Sequence, residues 1–306
     1  IACQTFALAG GNSDFKYNKQ GPSATAVMVL PLGLTLHDTL ILSLVPEQRE
    51  VFQADLPLWE RAPESLVSLQ EGKERAITGW VDLYTWRSRS IKFQLRGEGE
   101  TIGGLAIASG VGCSSEQAVD PMLSFRIDDQ HGRLPIQFRD RGLWRDFDAL
   151  LPDSSHLAPG VIQHATALAR SNRQRFPRTV LVLGQANSKA KVEYWRMERF
   201  ALPEALAGDR FIRTEIRQLL IDTELAQKAL WSACSSFARD LLSRGERKPA
   251  GKDISGFVER MPAHAWYWSF LESRFHSVLN EYSLERAADD IRCLWLHAVR
   301  DALSAA

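Results

Sequence analysis

The pattern of apolar residues after Pro203 constrains the fold more than any other feature of the sequence. Long stretches there place apolar side chains at helical spacing, and almost no segment alternates as a strand does. The longest stretch is followed by Gly245, a typical helix stop signal. Its predicted apolar stripe comprises Phe211, Ile212, Ile216, Leu219, Leu220, Thr223, Ala226, Leu230 and Ala233. Long helices joined by short links must cover each other's stripes, so the pattern predicts an antiparallel bundle.

Short apolar runs bounded by Gly and Pro fill the sequence before Pro203. Four of them are typical of strands: "TAVMVLPLG", "SIKFQLRGEG", "TIGGLAIASG" and "TVLVLG". Two others, "TLHDTLILSLVP" and "HLAPGVIQHATALARSN", have apolar residues at helical spacing. The sequence therefore predicts an α+β fold. A mixed α/β domain over residues 1–202 is followed by a C-terminal helical bundle of the four-helix type over residues 203–306.

The charge balance limits how this protein can bind a polyanion. Lys and Arg together number 37, as do Asp and Glu, so the formal net charge is zero. Binding to nucleic acid through overall charge requires a basic protein, so any such binding must depend on local patches. No apolar run reaches the about 18 residues of a membrane span. The four scattered cysteines are typical of reduced, buried thiols, so we expect a cytoplasmic protein with no membrane partner.

No arrangement of residues in the sequence predicts catalysis. The P-loop, zinc-protease, nucleophile-elbow and dinucleotide-binding motifs are all missing. Cys293 and His297 are four residues apart on a predicted helix and would form half a metal site, but a core cysteine beside a core histidine is far more common. We therefore predict a protein that is not an enzyme, with no catalytic residue, no metal and no cofactor.

Basic residues are clustered along the chain although the net charge is zero. One cluster alone is typical of a solvated surface. Several clusters together with glycine loops favour nucleic acid, because cations neutralise phosphates and glycine lets backbone N–H groups approach closely. The weaker candidates for backbone contacts are Arg173, Arg175, Arg213, Arg217, Arg247 and Lys248.

The segment "VLVLGQANSKAKVEYWRMERFALP", residues 180–203, leaves a predicted strand and returns to an apolar, aromatic strand. Its small and polar centre carries Lys189 and Lys191 and no obvious catalytic side chain. A turn alone needs about two to five residues, so this link is longer than a turn requires. The composition by itself predicts an ordinary surface hairpin.

Five blocks of the sequence resemble, in the same order, successive blocks of the CasA family. That family is the large subunit of the type I-E CRISPR surveillance complex, Cascade. The blocks are "GPSATAVMVLPLGLTLHDTLILSLVPE", "DLPLWERAPES", "ITGWVDLYTWRSRSIKF", "DPMLSFR" with "LWRDFDALLP", and "LGQANSKAKVEYWRMERFALP". The third block is the most specific. Family members are longer at the front, so the chain resembles a member without its N-terminal part.

The resemblance implies a subunit that binds DNA and has no chemistry of its own. Such a subunit recognises the protospacer-adjacent motif, PAM, in duplex DNA and opens the duplex beside it, so that guide RNA can pair with the target strand. It also offers a docking surface to a nuclease. The implied partners are double-stranded target DNA, guide RNA, the other Cascade subunits and the effector helicase–nuclease.

Two segments match the parts of the family that contact the PAM. A glycine-rich loop approaches the minor groove in the family, and "AGGNSDFKYNKQGP" matches it here with shorter glycine runs. Its candidate contacts are Gly10, Gly11, Asn12, Ser13 and Lys16. The second segment is a hairpin that wedges into the duplex with an amide side chain at its tip. Its candidate contacts here are Asn187, Ser188, Lys189 and Lys191.

Alignment on the following "WR" places the wedge at Lys189, and Gln185 and Asn187 remain alternatives for the tip. A cation in place of an amide predicts binding that is more sensitive to salt. Two other functions stay open beside this one. The chain is either a protein-interaction scaffold with incidental basic patches or, if acidic residues met on adjacent strands, a metal-dependent nuclease.

Overall fold

The structure, a computed structural model, describes residues 27–46, 55–71, 74–87, 89–97, 101–114, 120–128, 130, 132–139, 141–151, 156–171, 179–188, 191–203, 209–243, 248–284 and 286–306. Its strands are β1 (Met28–Leu32), β2 (Glu74–Ala76), β3 (Arg89–Arg96), β4 (Thr101–Ser109), β5 (Gly112–Ser114), β6 (Phe125–Asp128), β7 (Gly132–Pro135), β8 (His156–Leu157), β9 (Thr179–Ser188) and β10 (Lys191–Ala201). Its α-helices are α1 (Leu36–Ser43), α2 (Leu66–Glu71), α3 (Trp80–Thr85), α4 (Gly160–Ser171), α5 (Arg210–Leu242), α6 (Gly251–Val258), α7 (Ala263–Glu281) and α8 (Ala288–Ala305). Short 3-10 segments occupy Leu58–Glu60, Leu143–Leu150 and Tyr282–Leu284.

The predicted α+β fold is confirmed. The four predicted strand segments correspond to β1, β3, β4 and β9, and the two predicted helices before Pro203 correspond to α1 and α4. After Pro203 the described residues form the four helices α5 to α8. The division of the chain into two domains at residue 203 stays a prediction.

The sheet that positions the predicted hairpin is antiparallel, with strand order β1–β9–β10. β1 pairs with β9 only from Thr179 to Leu183, whereas β10 follows β9 as far as Ser188. The far half of β9 and the start of β10 therefore continue as a two-stranded hairpin. Val180 and Val182 point into the core, as the two-residue period of a strand requires.

Aromatic rings from three parts of the chain meet in the centre of the core. Phe200 of β10 lies 5.5 Å from Phe147 of the 3-10 segment Leu143–Leu150, measured between ring centroids. Phe147 lies 5.5 Å from Phe275 of α7, and Phe275 lies 5.8 Å from Trp295 of α8. All four side chains are fully buried, and the contacts have the edge-to-face geometry that aromatic pairs prefer. The hairpin and the bundle therefore share one core.

The residues predicted to form the apolar stripe of α5 are buried in the middle of the helix but not at its ends. Ile216 and Leu219 are fully buried, but Phe211 is 60% exposed. The helix has 33 residues against 19 in α7, so its ends extend beyond the helix that covers its middle. Near the C-terminal end, Cys234 is buried in place of Ala233, because α6 packs there from another side.

The expectation that Cys293 and His297 are core residues is wrong. Both are exposed, because the buried face of α8 is formed by residues two positions away, including Ile291 and Trp295. The prediction of buried thiols holds only for Cys234 among the described cysteines. Within the described ranges, no group of three or more His, Cys, Asp or Glu side chains is placed to hold a metal ion. None of the helices described is both long and apolar enough to cross a membrane.

The most specific sequence block forms a buried network of charges at the start of α3. Asp82 is fully buried and accepts hydrogen bonds from both terminal nitrogens of Arg75, at 2.6 and 2.8 Å, and from the backbone N–H of Thr78. Arg61 Nε lies 3.3 Å from the same carboxylate. Burial raises the pKa of Asp82, but Arg75, Thr78 and Arg61 together outweigh burial and lower it. The network therefore keeps the carboxylate charged inside the fold.

A second carboxylate completes the N-terminus of α3. Asp55 accepts hydrogen bonds from the backbone N–H groups of Val81 and Asp82, at 2.8 and 2.9 Å, which α3 itself leaves unsatisfied. A Cβ atom at Gly79 would clash with Asp55 Cγ, so this close approach needs glycine. The Arg75 guanidinium lies 4.1 Å from the ring of buried Trp86. The signature block thus stabilises the fold.

Replacement of Phe275 by alanine should lower the free energy of unfolding by about 4 kcal/mol, because the cavity would open between Phe147 and Trp295. The matched control is Phe237→Ala on α5, where the ring is 56% exposed and the loss should stay below about 1 kcal/mol. Urea unfolding of both variants measures the difference. Equal losses would contradict a shared aromatic core.

Asp82→Asn should destabilise the protein by about 3 kcal/mol at pH 7, because Arg75 and Arg61 would lose their buried counter-charge. A lowered pKa means that this stabilisation is complete above about pH 4 and is lost as the pH falls further. The gap between variant and parent should therefore narrow in acid. Exposed Asp240→Asn serves as the control, and a gap that is constant with pH would refute the role of Asp82.

Candidate nucleic-acid interface

The segment predicted to work on DNA folds as a hairpin. β9 and β10 pair from Thr179 with Ala201 to Ser188 with Lys191, so residues 189–190 alone connect the two strands. The pairing shifts by one residue between Val192 and Tyr194, which is a β-bulge and increases the local twist. The segment is therefore longer than a turn because both of its sides continue the strands.

The predicted tip residues lie at the end of this hairpin or beyond the described residues. Asn187 and Ser188 end β9 and Lys191 begins β10, and the structure describes their backbone as strand. Lys189 lies outside the described residues, as do Gly10, Gly11, Asn12, Ser13 and Lys16.

Gln185 is one of the alternatives for the wedge, and the structure does not place it at the tip. It is only 4% exposed and pairs with Trp195, inside the hairpin. The physical reason is that β9 stays paired for three residues beyond Gln185, so the polar stretch begins while the strand is still part of the sheet.

A half-buried glutamate fixes the base of the hairpin. Glu198 of β10 accepts hydrogen bonds from the backbone N–H of Leu143, at 3.0 and 2.9 Å to its two oxygens, and pairs with Arg196 at 2.6 Å. Arg196 also donates to the carbonyl oxygen of Arg141, at 2.8 Å. Burial raises the pKa of Glu198, and the Leu143 and Arg196 contacts oppose it. Stability from this carboxyl therefore falls as the pH rises past the ordinary glutamate pKa.

The opposite face of β10 is open to solvent. Trp195 is 72% exposed and Met197 is 66% exposed, and Arg199 on the same face is also exposed. The alternation of "WRMER" is the sequence signal that would have found this face, because every second residue of a strand points the same way. An exposed tryptophan is a surface on which a base can stack.

The weaker candidates for backbone contacts are dispersed. Arg173, Arg175 and Arg247 lie outside the described residues, and Lys248 is exposed. Arg213 and Arg217 are half-buried on α5. Arg217 Nε lies 4.0 Å from Asp148 Oδ2 of the 3-10 segment, so this arginine contributes to packing between α5 and that segment.

A basic groove of about 700 Å³ lies beside the hairpin base, and sequence reasoning did not find it. Its walls are the end of β6, the end of β7 with the following residues to Arg139, the 3-10 segment Leu143–Leu150, and α5. Of the side chains that the structure describes, three acidic ones line it, Asp146, Asp148 and Glu224. Six basic side chains line it, Arg126, Arg139, Arg141, Arg145, Arg217 and Lys228.

Three of these cations are held by the three acidic residues. Arg141 pairs with Asp146, and Arg217 approaches Asp148. Arg145 donates to Glu224 at 2.7 Å and stacks on Trp268, with its guanidinium carbon 3.4 Å from the ring centroid. Burial lowers the pKa of Arg145, and Glu224 opposes that effect. The Arg145–Glu224 and Arg217–Asp148 pairs hold the 3-10 segment against α5.

Replacement of Glu198 by alanine should leave the Leu143 N–H without an acceptor at the hairpin base, which costs about 1–3 kcal/mol. The Leu143 amide should then exchange with solvent deuterium at least about tenfold faster. Glu193→Ala is the matched control, because Glu193 is exposed on the same strand and should change nothing. The anchoring role fails if the Leu143 amide is equally protected in both variants.

Comparison with known proteins identifies the family. The sequence model of the CRISPR-associated protein Cse1 family matches residues 1–306. The protein CasA/Cse1 of Thermus thermophilus is 29% identical over 292 residues, which are 93% of this chain and 56% of that protein. The crystal structure of Thermus thermophilus CasA has a TM-score of 0.74 at 27% identity, and the match covers 94% of this chain and 60% of that one.

A third comparison shows the fold alone. Cse1 from Acidimicrobium ferrooxidans has a TM-score of 0.61 at 24% identity, and the match covers 92% of this chain and 59% of that structure. The chain therefore spans somewhat more than half the length of the relatives that it matches. The match to the family model extends over every residue, and the chain belongs to the Cse1, or CasA, family of CRISPR-associated proteins.

Proposed function

We propose that this chain is a DNA-binding, non-catalytic subunit of a CRISPR surveillance complex of the Cascade type. In this role it recognises the PAM in duplex DNA, helps to open the duplex for pairing with guide RNA, and recruits the effector helicase–nuclease. Its partners are then target DNA, guide RNA, the other subunits of the complex and that nuclease. Family membership supports the proposal, because the matched relatives are CRISPR-associated proteins of the same type.

The observation that carries the proposal is that the β9–β10 hairpin is anchored at its base. Its strands extend beyond the three-stranded sheet, and its base is fixed by Phe200 in the aromatic core and by Glu198 on the Leu143 backbone. A wedge must not bend when it enters a stack of bases. A hairpin that is anchored at its base and narrow at its end meets that requirement.

The residues at the end of the hairpin suit strand separation better than catalysis. Unstacking one base step costs a few kcal/mol, which contacts between cations and phosphates can offset. Lys189 and Lys191 bring positive charge to this end, and Asn187 and Ser188 bring small side chains that can hydrogen-bond to a base edge. Acid–base chemistry has no part in this process.

The glycine-rich stretch before β1 is proposed to read the PAM itself. Gly10 and Gly11 allow the backbone to approach the minor groove, and Asn12, Ser13 and Lys16 supply polar contacts. Minor-groove reading separates A·T from G·C pairs and little else, which suits a short tag that is recognised with tolerance. Arg173, Arg175, Arg213, Arg217, Arg247 and Lys248 are proposed to contribute weaker contacts to the DNA backbone.

A pure scaffold is the second candidate, and the outer surface of the bundle favours it. Phe237 of α5 and Trp266 of α7 are 56% and 58% exposed, and large exposed apolar side chains mark protein contacts when they form a patch. A scaffold docks other subunits without binding DNA. Gel shifts of the chain, alone and assembled with guide RNA and the other subunits, separate the two functions. The proposal requires tighter binding to a PAM-bearing duplex than to a PAM-less one, and equal binding would leave only the scaffold.

Lys189→Ala should weaken binding to target duplex and make it less dependent on salt. One phosphate contact contributes about 0.9 to the slope of log K against log salt on duplex DNA, so the slope should fall by about that amount. A salt series with Lys252→Ala, an exposed lysine of α6, provides the control. An unchanged slope for Lys189→Ala would remove this residue from the DNA contact.

A further inference from the structure

The described side chains of the basic groove carry more positive charge than its described carboxylates can balance. Among the described residues, six basic side chains face three acidic ones, in a chain whose formal net charge is zero. Asp146 and Glu224 are already engaged by Arg141 and Arg145. The excess therefore lies on the cations that remain.

Three exposed cations make up this excess. Arg126 of β6, Arg139 before the 3-10 segment, and Lys228 of α5 line the groove from three different elements. None of the three forms an ion pair with any residue in the described ranges. Separate cations on three walls suit an extended polyanion, because one ligand with regularly spaced charges can reach all of them.

The groove is also joined to the hairpin. Arg196 of β10 donates hydrogen bonds to the backbone oxygens of Arg139 and Arg141, at 3.4 and 2.8 Å, so the basic wall of the groove lies against the hairpin base. On the α5 wall, Ile221 and Leu225 are 45% and 56% exposed and offer apolar surface to sugars.

We propose that this groove binds the phosphodiester backbone of one nucleic-acid strand, with Arg126, Arg139 and Lys228 as its phosphate contacts. The assignment of that strand to DNA opened by the hairpin rests on the proposed function. The phosphate chemistry itself does not, because it follows from the charges and shape of the groove. Arg141 and Arg145 serve a different purpose. Arg141 is paired with Asp146, and the pair of Arg145 with Glu224 joins the 3-10 wall to the α5 wall.

The test is a triple variant, Arg126→Gln, Arg139→Gln and Lys228→Gln, in the full chain and in its complex with guide RNA and the other subunits. Labelled oligothymidylate and oligouridylate are the probes, titrated over a salt series. Three lost contacts should lower the salt slope for a single strand by about 2. The affinity of the triple variant for both oligonucleotides should fall at least about tenfold. With a duplex probe, the loss of affinity should be the same whether or not the duplex carries a PAM.

The matched control removes the same charge elsewhere: Lys252→Gln, Arg260→Gln and Arg300→Gln, three exposed residues of the bundle. A charge-retaining variant, Arg126→Lys with Arg139→Lys, should keep most of the affinity, which separates charge from folding. Thermal unfolding of each variant confirms that the fold is intact. A greater loss on oligothymidylate assigns the groove to DNA, and a greater loss on oligouridylate assigns it to guide RNA.

Failure of this inference and failure of the proposed function give different results. If the parent protein prefers PAM-bearing duplex and the groove variant binds both oligonucleotides as the control does, the groove inference is overturned and the function stands. A labelled acidic peptide serves as a further probe. If the triple variant loses binding to this peptide but not to the oligonucleotides, the groove inference is also overturned. If the groove variant loses strand affinity but the parent shows no PAM preference, the groove stands and the function falls.

Discussion

The edge-to-face packing of Phe147 between Phe200 and Phe275 is the interaction on which the rest of the structure depends. It joins a strand of the hairpin, a 3-10 segment and a bundle helix in one buried core. Glu198 adds a polar contact from the same strand to the Leu143 backbone. This packing supports the hairpin, because two strands without such support are only marginally stable.

Charge is arranged around this core by pairing. Beside α5, Arg141 and Arg145 of the groove are paired with carboxylates. At the start of α3, buried Asp82 pairs with Arg75 and Arg61. The groove instead gathers cations that have no such partner among the described residues. A chain with no net charge can thus present a basic surface at one place. Binding to a polyanion then depends on position rather than on total charge.

The sequence predicts the elements better than the site. Helical spacing found α5 to α8, and short apolar runs bounded by Gly and Pro found β1 and β9, because both signals are local. The burial of Gln185 was not predictable, since it depends on how far β10 follows β9. The groove joins residues 126, 139 and 228, which no periodicity relates. Its basic residues were visible in the sequence, but their meeting is a property of the tertiary fold.

The central claim is that the hairpin separates the strands beside a PAM. Fluorescence of 2-aminopurine placed in the target strand next to the PAM measures this directly, because the base brightens when it leaves the stack. In the assembled complex the account predicts a rise with a PAM-bearing duplex. The rise should disappear when the hairpin is cut back so that an Asn-Gly turn joins Ala186 to Tyr194. An equal rise with the shortened hairpin would contradict the account.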